Sequence, residues 1–338
     1  MNKKILVTGG AGFIGGALIE RLLKEEQNII YNIDKLSYKN GLIRISEFNK
    51  NNRHKHYLID LTNKEFLINL FEQINPDVIF HLAAESHVDV SLVNPAKCVQ
   101  SNVLGTFNLL EATRIYWNKI TSSKREFFKF IHVSTDEVFG SLGKDGKFNE
   151  GSNYDPRSPY SASKAASDHL VNAWFHSYSI PTIITNCSNN YGPFQFIDKL
   201  IPLAITNGIN NLQIPLYGDG LNIRDWLFVE DHIDALILVY KKGRIGEKYC
   251  VGGYGERTNK EVLEKICNIL DIFVPKEYLH RELIKNVQDR AGHDRRYAID
   301  SNKITKELNW IPKISFDKGI ELTVTWYLEN RNWWKYLK

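Results

Sequence analysis

Short apolar runs and amphipathic stretches alternate along the first half of the chain. The runs are almost continuously apolar, as expected for strands buried on both faces of a sheet, and they read KILVTG, NIIYNID, DVIFHLAA, FFKFIHVS and PTIITNC. The stretches between them, such as NKEFLINLFEQI, repeat their apolar residues with the spacing of a helix. This pattern predicts an α/β fold with a Rossmann-type doubly wound parallel sheet.

The pattern changes after Cys187, where Gly, Pro and Asn interrupt the apolar runs. Helical spacing returns at HIDALILVYKK and NKEVLEKICNIL. We predict a first domain of residues 1–187 and a smaller, loop-rich C-terminal domain of residues 188–338, some segments of which return to the sheet of the first. The basic stretch NKNNRHKHY is interpreted as a solvated loop.

Composition and charge restrict the possible functions. The 338 residues are 43% hydrophobic and 24% charged, with a net charge of +4, which is typical of a soluble globular protein and gives no reason to expect nucleic acid or a membrane as a partner. The four cysteines are widely separated and form no CxxC pair, so no metal site or redox motif is predicted, and a cytoplasmic location is expected. No stretch approaches the roughly 20 apolar residues that a membrane-spanning helix needs.

A glycine-rich turn follows the first predicted strand. TGGAGFIGG places Gly9, Gly12 and Gly15 with the spacing of a dinucleotide-binding turn, in which glycine allows a tight turn, the approach of a pyrophosphate and close packing of helix on strand. Asp34 ends the next strand, about 20 residues after Gly15, where a ribose-binding acid is expected. A carboxylate there accepts hydrogen bonds from both ribose hydroxyls and repels a 2′-phosphate. The predicted cofactor is therefore NAD rather than NADP.

Two further segments carry groups suited to proton transfer. In YSASK, a helix that begins near Pro159 would place Tyr160 and Lys164 one turn apart, and the ammonium is expected to lower the pKa of the phenol so that it acts as a base. In STDEVFG, Asp136 and Glu137 follow a buried strand. Since an acidic pair is usually a solvated loop, its function has to be decided from the other motifs.

The motifs together resemble those of the nucleoside-diphosphate-glucose 4,6-dehydratases, extended members of the short-chain dehydrogenase/reductase superfamily, with the dTDP-glucose enzymes as the nearest pattern. The resemblance runs from residue 5 to about residue 300 and rests on TGGAGFIG, HLAAESHVD, STDEVFG, SPYSASKAASDHLV, NCSNNYGP, DKLIP, IRDWLFVEDH and DRAGHDRRYAID. It implies a lyase with tightly bound NAD that converts an NDP-glucose into the NDP-4-keto-6-deoxyglucose by moving a hydride from C4 to C6. Such a reaction supplies deoxysugar biosynthesis of the rhamnose type.

The resemblance also implies roles for the catalytic residues Thr135, Asp136, Glu137, Tyr160 and Lys164. Tyr160 takes the proton of O4, and Glu137 removes the proton at C5. Asp136, kept protonated in a poorly solvated pocket, donates its proton to the departing C6 hydroxyl. Because adjacent residues of a strand point to opposite faces, these roles require the chain to turn at Asp136.

Further contacts are implied for the cofactor and the substrate, and no metal site is implied. The first domain would bind NAD and carry the catalytic residues, and the second would mainly bind the nucleotide sugar. The residues expected to contact NAD are Gly9, Gly12, Phe13, Ile14, Gly15, Asp34, Lys35, Leu36, Ser37, Asp60, Leu61, Leu82, Ala83, Ala84, Ser101, Tyr160, Lys164 and Asn190. Those expected to contact the nucleotide sugar are Ser86, Ser134, Thr135, Asp136, Asn189, Lys199, Leu200, Pro215, Tyr217, Arg224, Asn259, Asp289, Arg290 and His293. The basic side chains suit a diphosphate, which needs several hydrogen-bond donors.

The sequence leaves alternatives open. A nucleotide-sugar 4-epimerase or decarboxylase of the same superfamily needs only the Tyr160–Lys164 pair with a serine or threonine, so the acidic pair counts against it. A non-catalytic NAD-binding regulator would need no Tyr–Lys pair. UDP-glucose is a serious second substrate beside dTDP-glucose, because one methyl group in a pocket is worth only ~1–3 kcal/mol.

The family commonly dimerises through helices like those at 95–118 and 159–178, so a homodimer is expected. Some positions depart from the usual residue without touching the proposed chemistry: Gly16 replaces a serine, Val90 an arginine, Phe139 a tyrosine and Ala291 a proline.

Overall fold

The structure, a computed structural model, describes residues 3–37, 39–289 and 292–335 of the chain. Within those residues the strands, numbered in chain order, are β1 Lys3–Thr8, β2 Asn28–Asp34, β3 His54–Leu58, β4 Val78–His81, β5 Lys129–Thr135, β6 Thr182–Cys187, β7 Asn189–Tyr191, β8 Ile214–Tyr217, β9 Ile223–Arg224, β10 Trp226–Phe228, β11 Lys248–Val251, β12 Arg257–Thr258 and β13 Ile284–Val287.

The helices pack on both faces of the sheet and build most of the second half. They are α1 Phe13–Leu23, α2 Lys39–Phe48, α3 Lys64–Ile74, α4 Val88–Val93, α5 Pro95–Cys98, α6 Gly105–Lys119, α7 Ser122–Arg125, α8 Pro159–Tyr178, α9 Leu200–Ile209, α10 Val229–Lys242, α11 Asn259–Phe273, α12 Asn302–Leu308, α13 Phe316–Glu329 and α14 Arg331–Trp334. A π-helical segment, Val99–Leu104, joins α5 to α6, and Asp136–Phe139 is a 3-10 turn. Among the described helices, none combines the length and apolar character needed to cross a membrane.

The central sheet is parallel throughout, with the strand order β11-β6-β5-β4-β1-β2-β3. Both of its faces are covered: Leu6 packs into the core on one side, and Ile5 and Val7 pack into the core on the other. This double burial explains why the strands read as continuous apolar runs. The predicted Rossmann-type fold is confirmed. Because β2 and β4 lie on opposite sides of β1, a crevice opens at the carboxyl ends of β1 and β4, where open α/β sheets bind their ligands.

The interpretation of NKNNRHKHY as a solvated loop is wrong, because part of it forms the edge strand β3. His54 pairs with Ile30 of β2 and is only 5% exposed, whereas Lys55 beside it is exposed. The ring of His54 packs 5.4 Å from that of Phe48 on α2, measured between centroids. Because a polar residue type occupies this buried position, β3 lacks the alternation of apolar and polar residues by which an edge strand is usually recognised.

The second half of the chain has a core of its own and also completes the sheet. Tyr191 packs edge-on against Phe228, and Phe316 of α13 lies 5.6 Å from the Tyr191 ring. Segments of this half also reach the central sheet, since β11 pairs with β6 and α10 packs Ile233 and Leu236 into the core beside β1. The domain boundary at residues 187–188 stays a prediction.

We expect the free energy of unfolding to fall as the pH decreases from about 6.5 towards 4. Burial lowers the pKa of His54 and of His132 to about 4, and that of His232 to about 3. An unfolded histidine titrates near pH 6.5, so below that value the unfolded chain binds more protons than the folded one, and the stability that these neutral side chains provide at neutral pH is lost. Urea denaturation at several pH values in this window gives the free energy of unfolding and hence its slope against pH. The slope should become shallower in His54→Gln, and an equal slope in wild type and variant would contradict the assignment.

Candidate active site

A cleft of about 310 Å³ lies at the carboxyl edge of the sheet. Every residue that the sequence predicted to contact NAD lines it, from the glycine turn to Asn190. Part of the predicted substrate set lines the same cleft, namely Ser86, Ser134, Thr135, Asn189 and Lys199. The cleft thus joins residues that are far apart in sequence, because the ends of parallel strands meet at one edge.

The glycine turn is fixed by close packing of backbone on backbone. Gly9 has φ +76°, and a Cβ added there would lie 2.7 Å from the amide nitrogen of Ala83. A Cβ on Gly15 would lie 2.2 Å from the carbonyl oxygen of Gly9. Helix α1 begins at Phe13, and no side chain caps its first amides, which remain available to a phosphate at the helix N-terminus.

Asp34 is held in a position suited to a ribose. Its Oδ2 accepts a hydrogen bond from the amide of Ala11 (3.0 Å), and its Oδ1 accepts one from the amide of Leu36 (2.8 Å). Burial raises its pKa above the ordinary value although these two hydrogen bonds lower it. The carboxylate and the glycine turn together fit the dinucleotide that the sequence predicts.

Tyr160 and Lys164 stand one turn apart at the start of α8, as predicted. The helix begins at Pro159, and the side chains of Ser158 and Ser161 cap each other's backbone amides. The Lys164 ammonium donates a hydrogen bond to the carbonyl oxygen of Val133 (2.9 Å). Both side chains are buried at the wall of the cleft.

The prediction that Lys164 lowers the pKa of Tyr160 is wrong for this arrangement. Burial raises the pKa of Tyr160 well above the value of an exposed phenol, and the negative charge of Glu137 raises it further. A hydrogen bond from Thr135 acts in the opposite direction and is smaller. Desolvation of the phenolate and the neighbouring negative charges therefore set the direction of the shift, which is opposite to the predicted one.

A buried carboxylate lies beneath this pair. Asp168 is 1% exposed, and its Oδ1 is 3.1 Å from Nε2 of His132, which is itself 3.4 Å from the Lys164 ammonium. Three side chains donate hydrogen bonds to its Oδ2: Ser134 (2.9 Å), Tyr154 (2.9 Å) and Asn186 (3.2 Å). Burial alone would raise the pKa of Asp168, but His132 and then Lys164 hold it below its ordinary value. The resulting negative charge stabilises the buried ammonium of Lys164.

The acidic pair lies on a turn, as its predicted roles require. Strand β5 ends at Thr135, whose hydroxyl accepts a hydrogen bond from the amide of Glu137 (3.3 Å) and donates one to Oδ1 of Asp136 (3.2 Å). Asp136 is 1% exposed, and its pKa is raised well above the ordinary value by burial and by the charge of Glu137. Burial thus favours the neutral form, which is the form that the predicted role of Asp136 requires. Glu137 lines the cleft itself.

The remaining predicted substrate residues lie outside this cleft, in the second half of the chain. Arg224 is close enough to Asp136 for its charge to act on that acid, and its guanidinium lies 4.4 Å over the ring of Tyr297. The ring of His293 contacts Asp289 at 2.6 Å. Leu200, Pro215, Tyr217 and Asn259 belong to α9, β8 and α11, and Arg290 lies outside the described residues.

Sequence reasoning missed several residues that line the cleft, namely Ala11, Ile33, Gly41, Ile59, Val133, Cys187, Ser188, Gln195 and Phe196. Ile33 and Val133 precede Asp34 and Ser134 at strand ends, so their position could have been inferred from those neighbours. Gln195 and Phe196 carry no such signal, because they follow an irregular turn in which Phe194 has φ +66°.

A glycine turn at the switch point of a parallel sheet, with a Tyr–Lys pair on the facing helix, defines the short-chain dehydrogenase/reductase class of dinucleotide-binding enzymes. Within that class, the family model described as GDP-mannose 4,6 dehydratase matches residues 6–323. The chain belongs to this family, and the resemblance inferred from its motifs is confirmed.

Individual relatives agree with the family. The chain is 49% identical to a dTDP-glucose 4,6-dehydratase of Neisseria meningitidis, over 98% of this chain and 95% of that protein. A crystal structure of dTDP-glucose 4,6-dehydratase from Bacillus anthracis in complex with NAD superposes with a TM-score of 0.87 at 42% identity, covering 99% of this chain and all of that one (100%). A UDP-glucuronic acid 4-epimerase from Bacillus cereus has a TM-score of 0.85 at 28% identity, covering 96% of this chain and 99% of that one, so the fold is shared with epimerases.

Proposed function

We propose that the protein is a dTDP-glucose 4,6-dehydratase that uses NAD. Its relatives carry that name, and the site contains the groups that the reaction needs. The observation that carries the proposal is the acidic turn, where Asp136 is buried and Glu137 lines the same cleft as Tyr160. Oxidation at C4 needs only the tyrosine, whereas the loss of water needs both an acid and a base.

The residues of the cleft suit NAD as the resident cofactor. The amides at the start of α1 would hold the pyrophosphate, and the carboxylate of Asp34 would accept hydrogen bonds from the ribose hydroxyls. Bound NAD would take a hydride from C4 of the sugar, return it to C6, and bring a positive charge near Tyr160.

Each protein group has one proton to move. Tyr160 accepts the O4 proton as the phenolate. Because burial raises its pKa, this role needs a positive charge nearby, which Lys164 and bound NAD would supply. Once C4 is a ketone, the C5 proton is acidic enough for Glu137 to remove it. Asp136 then donates its proton to the C6 hydroxyl, which leaves as water. Burial lowers the pKa of Lys164, and the negative charge of the buried Asp168 opposes this shift and favours the ammonium.

The 4-epimerase alternative shares the fold and the Tyr–Lys pair. Epimerisation ends with hydride return to C4, so it has no use for an acid held neutral at the strand end. The position of Asp136 on a turn next to Glu137 favours dehydration. A non-catalytic NAD-binding regulator would need no Tyr–Lys pair. It is disfavoured because the pair is present and the buried carboxylate of Asp168 stabilises the ammonium of Lys164.

The base of the nucleotide is proposed from the relatives, with dTDP-glucose first and UDP-glucose second. The two substrates differ by a methyl group and a 2′-hydroxyl, which a pocket discriminates by about 10- to 200-fold for the methyl. In a competition of the two at equal concentration we expect the larger kcat/KM for dTDP-glucose. A larger value for UDP-glucose would reassign the nucleotide and leave the chemistry unchanged.

The hydrogen that leaves C4 should be returned to C6 of the same sugar. With substrate that carries deuterium at C4, we expect the label in the C6 methyl group of the 4-keto-6-deoxy product, because hydride leaves and returns within one cleft. Mass spectrometry or NMR of the product measures it. Label that stays at C4 would indicate an epimerase, and label lost to solvent would exclude internal transfer.

We also propose a cytoplasmic homodimer that serves deoxysugar synthesis. Apolar side chains are exposed along the segment expected at the interface, with Val99 55% and Leu104 43% exposed. The proposed division of labour assigns NAD and catalysis to residues 1–187 and most of the sugar nucleotide to residues 188–338.

A further inference from the structure

A buried arginine stands behind the glycine turn. Arg44 of α2 is 4% exposed, and its Nη1 donates hydrogen bonds to the carbonyl oxygens of Gly12 (3.1 Å) and Phe13 (2.8 Å). Its Nη2 pairs with the carboxylate of Glu20 on α1 (3.2 Å). The guanidinium therefore binds the first turn of α1, the helix whose backbone amides would hold the pyrophosphate.

Glycine at position 16 is what makes room for this arginine. A Cβ added to Gly16 would lie 2.4 Å from Cζ and from Nη1 of Arg44, so the guanidinium would have to leave its present position. Gly16 is helical and has an ordinary φ, so the backbone itself does not require glycine there. The guanidinium of Arg44 therefore occupies the space that a side chain at position 16 would need.

The other face of the guanidinium reaches the second half of the chain. Its Cζ lies 4.3 Å over the ring of Phe194, within the range of a cation–π contact. Phe194 has the left-handed φ of +66° and packs against Trp326 of α13, with 4.5 Å between ring centroids. Gln195 and Phe196, which follow it directly, line the cleft.

We propose that Arg44 is a positioning residue that fixes the pyrophosphate-binding turn and ties it to the cleft-lining segment 194–196. This inference rests on the proposed NAD site. The two hydrogen bonds to carbonyl oxygens hold the start of α1 in one orientation. The buried positive charge of Arg44 lies close to where the two phosphates of NAD would bind. The ring of Phe194, which stacks on the guanidinium, connects this turn to the cleft-lining segment 194–196.

The test is a double-mutant cycle in which the affinity for NAD is measured. Gly16→Ser should weaken NAD binding about 10- to 100-fold, the range of charge-assisted hydrogen bonds, because the new Cβ expels the guanidinium. Arg44→Ala should have a similar effect by removing it. In the Arg44→Ala background, however, Gly16→Ser should cost little more, since nothing is left to expel. NAD content after purification and equilibrium dialysis with NAD measure all four proteins.

A matched control separates this role from general destabilisation. Arg53 also donates its guanidinium hydrogen bonds to carbonyl groups, but at the opposite end of α1, on Leu23 (2.8 Å) and Glu25 (2.9 Å). Arg53→Ala should lower the melting temperature without changing NAD affinity. Arg44→Lys keeps the charge and should give an intermediate affinity, which keeps the test informative if Arg44→Ala folds poorly.

The outcomes distinguish this inference from the proposed function. A wild-type protein that binds no NAD would overturn the cofactor assignment itself. If the wild type binds NAD, equal affinity in Arg44→Ala, or an equal cost of Gly16→Ser in both backgrounds, overturns the role of Arg44 and leaves the dehydratase proposal standing.

Discussion

Tyr160→Phe is expected to lower kcat by about 10²- to 10⁴-fold, the usual contribution of a positioned acid–base group. The variant keeps the ring that fills the buried site and removes only the oxygen that accepts the O4 proton. Because no later step can begin before C4 is oxidised, both the reduced-cofactor absorbance in a single turnover and the release of product should be lost together. NAD and substrate binding should change little.

A second tyrosine supplies the matched control for this prediction. Tyr116 is also buried, and its hydroxyl donates a hydrogen bond to the carbonyl of Pro76 (2.8 Å), away from the cleft. Tyr116→Phe should cost some stability and leave kcat unchanged. If Tyr160→Phe still reduces the cofactor at the wild-type rate, the base at O4 is another group.

Asp136→Asn and Glu137→Gln are expected to stop the reaction after oxidation rather than before it. An asparagine reproduces the shape of a neutral Asp136 and still offers a hydrogen-bond donor, but it has no acidic proton to give to the C6 hydroxyl. Each variant should lower product formation by about 10²- to 10⁴-fold while the reduced cofactor and the 4-keto sugar accumulate. The pKa of Asp136, raised by burial, is what makes this acid competent at neutral pH.

Exchange of the C5 proton with deuterated solvent separates the two acids. Asp136→Asn should retain this exchange, because Glu137 still removes the proton, and Glu137→Gln should lose it. Glu230→Gln on α10 is an acid-to-amide control away from the cleft and should behave as wild type. Product formation at the wild-type rate when both acids are amides would end the assignment of the acidic turn.

The sequence was sufficient where a local pattern determines the local structure. The glycine turn, Asp34 at a strand end, and a helix that begins at Pro159 each follow from a few neighbouring residues, and parallel strands then bring them to one edge. The turn at Asp136 was required by the chemistry rather than indicated by periodicity, and the structure has it.

The rest depends on contacts between distant residues. Strand β3 was missed because His54 owes its burial to α2, which no local pattern shows. The pKa of Tyr160 was misjudged because the sequence gives its spacing to Lys164 but not the degree of desolvation. Arg44 resembles any other cation on an amphipathic helix until its contacts with Gly12 and Phe194 are known.

The position of β11 at the edge of the sheet has a consequence for biogenesis. The neighbouring strand β6 ends at Cys187, but its partner begins only at Lys248, after β7 to β10 and two helices have been made. On the ribosome the hydrogen-bonding edge of β6 therefore stays uncovered while the intervening residues emerge, and a nascent chain is then open to pairing with other chains. Chaperone dependence of this protein should be greatest in that interval of translation.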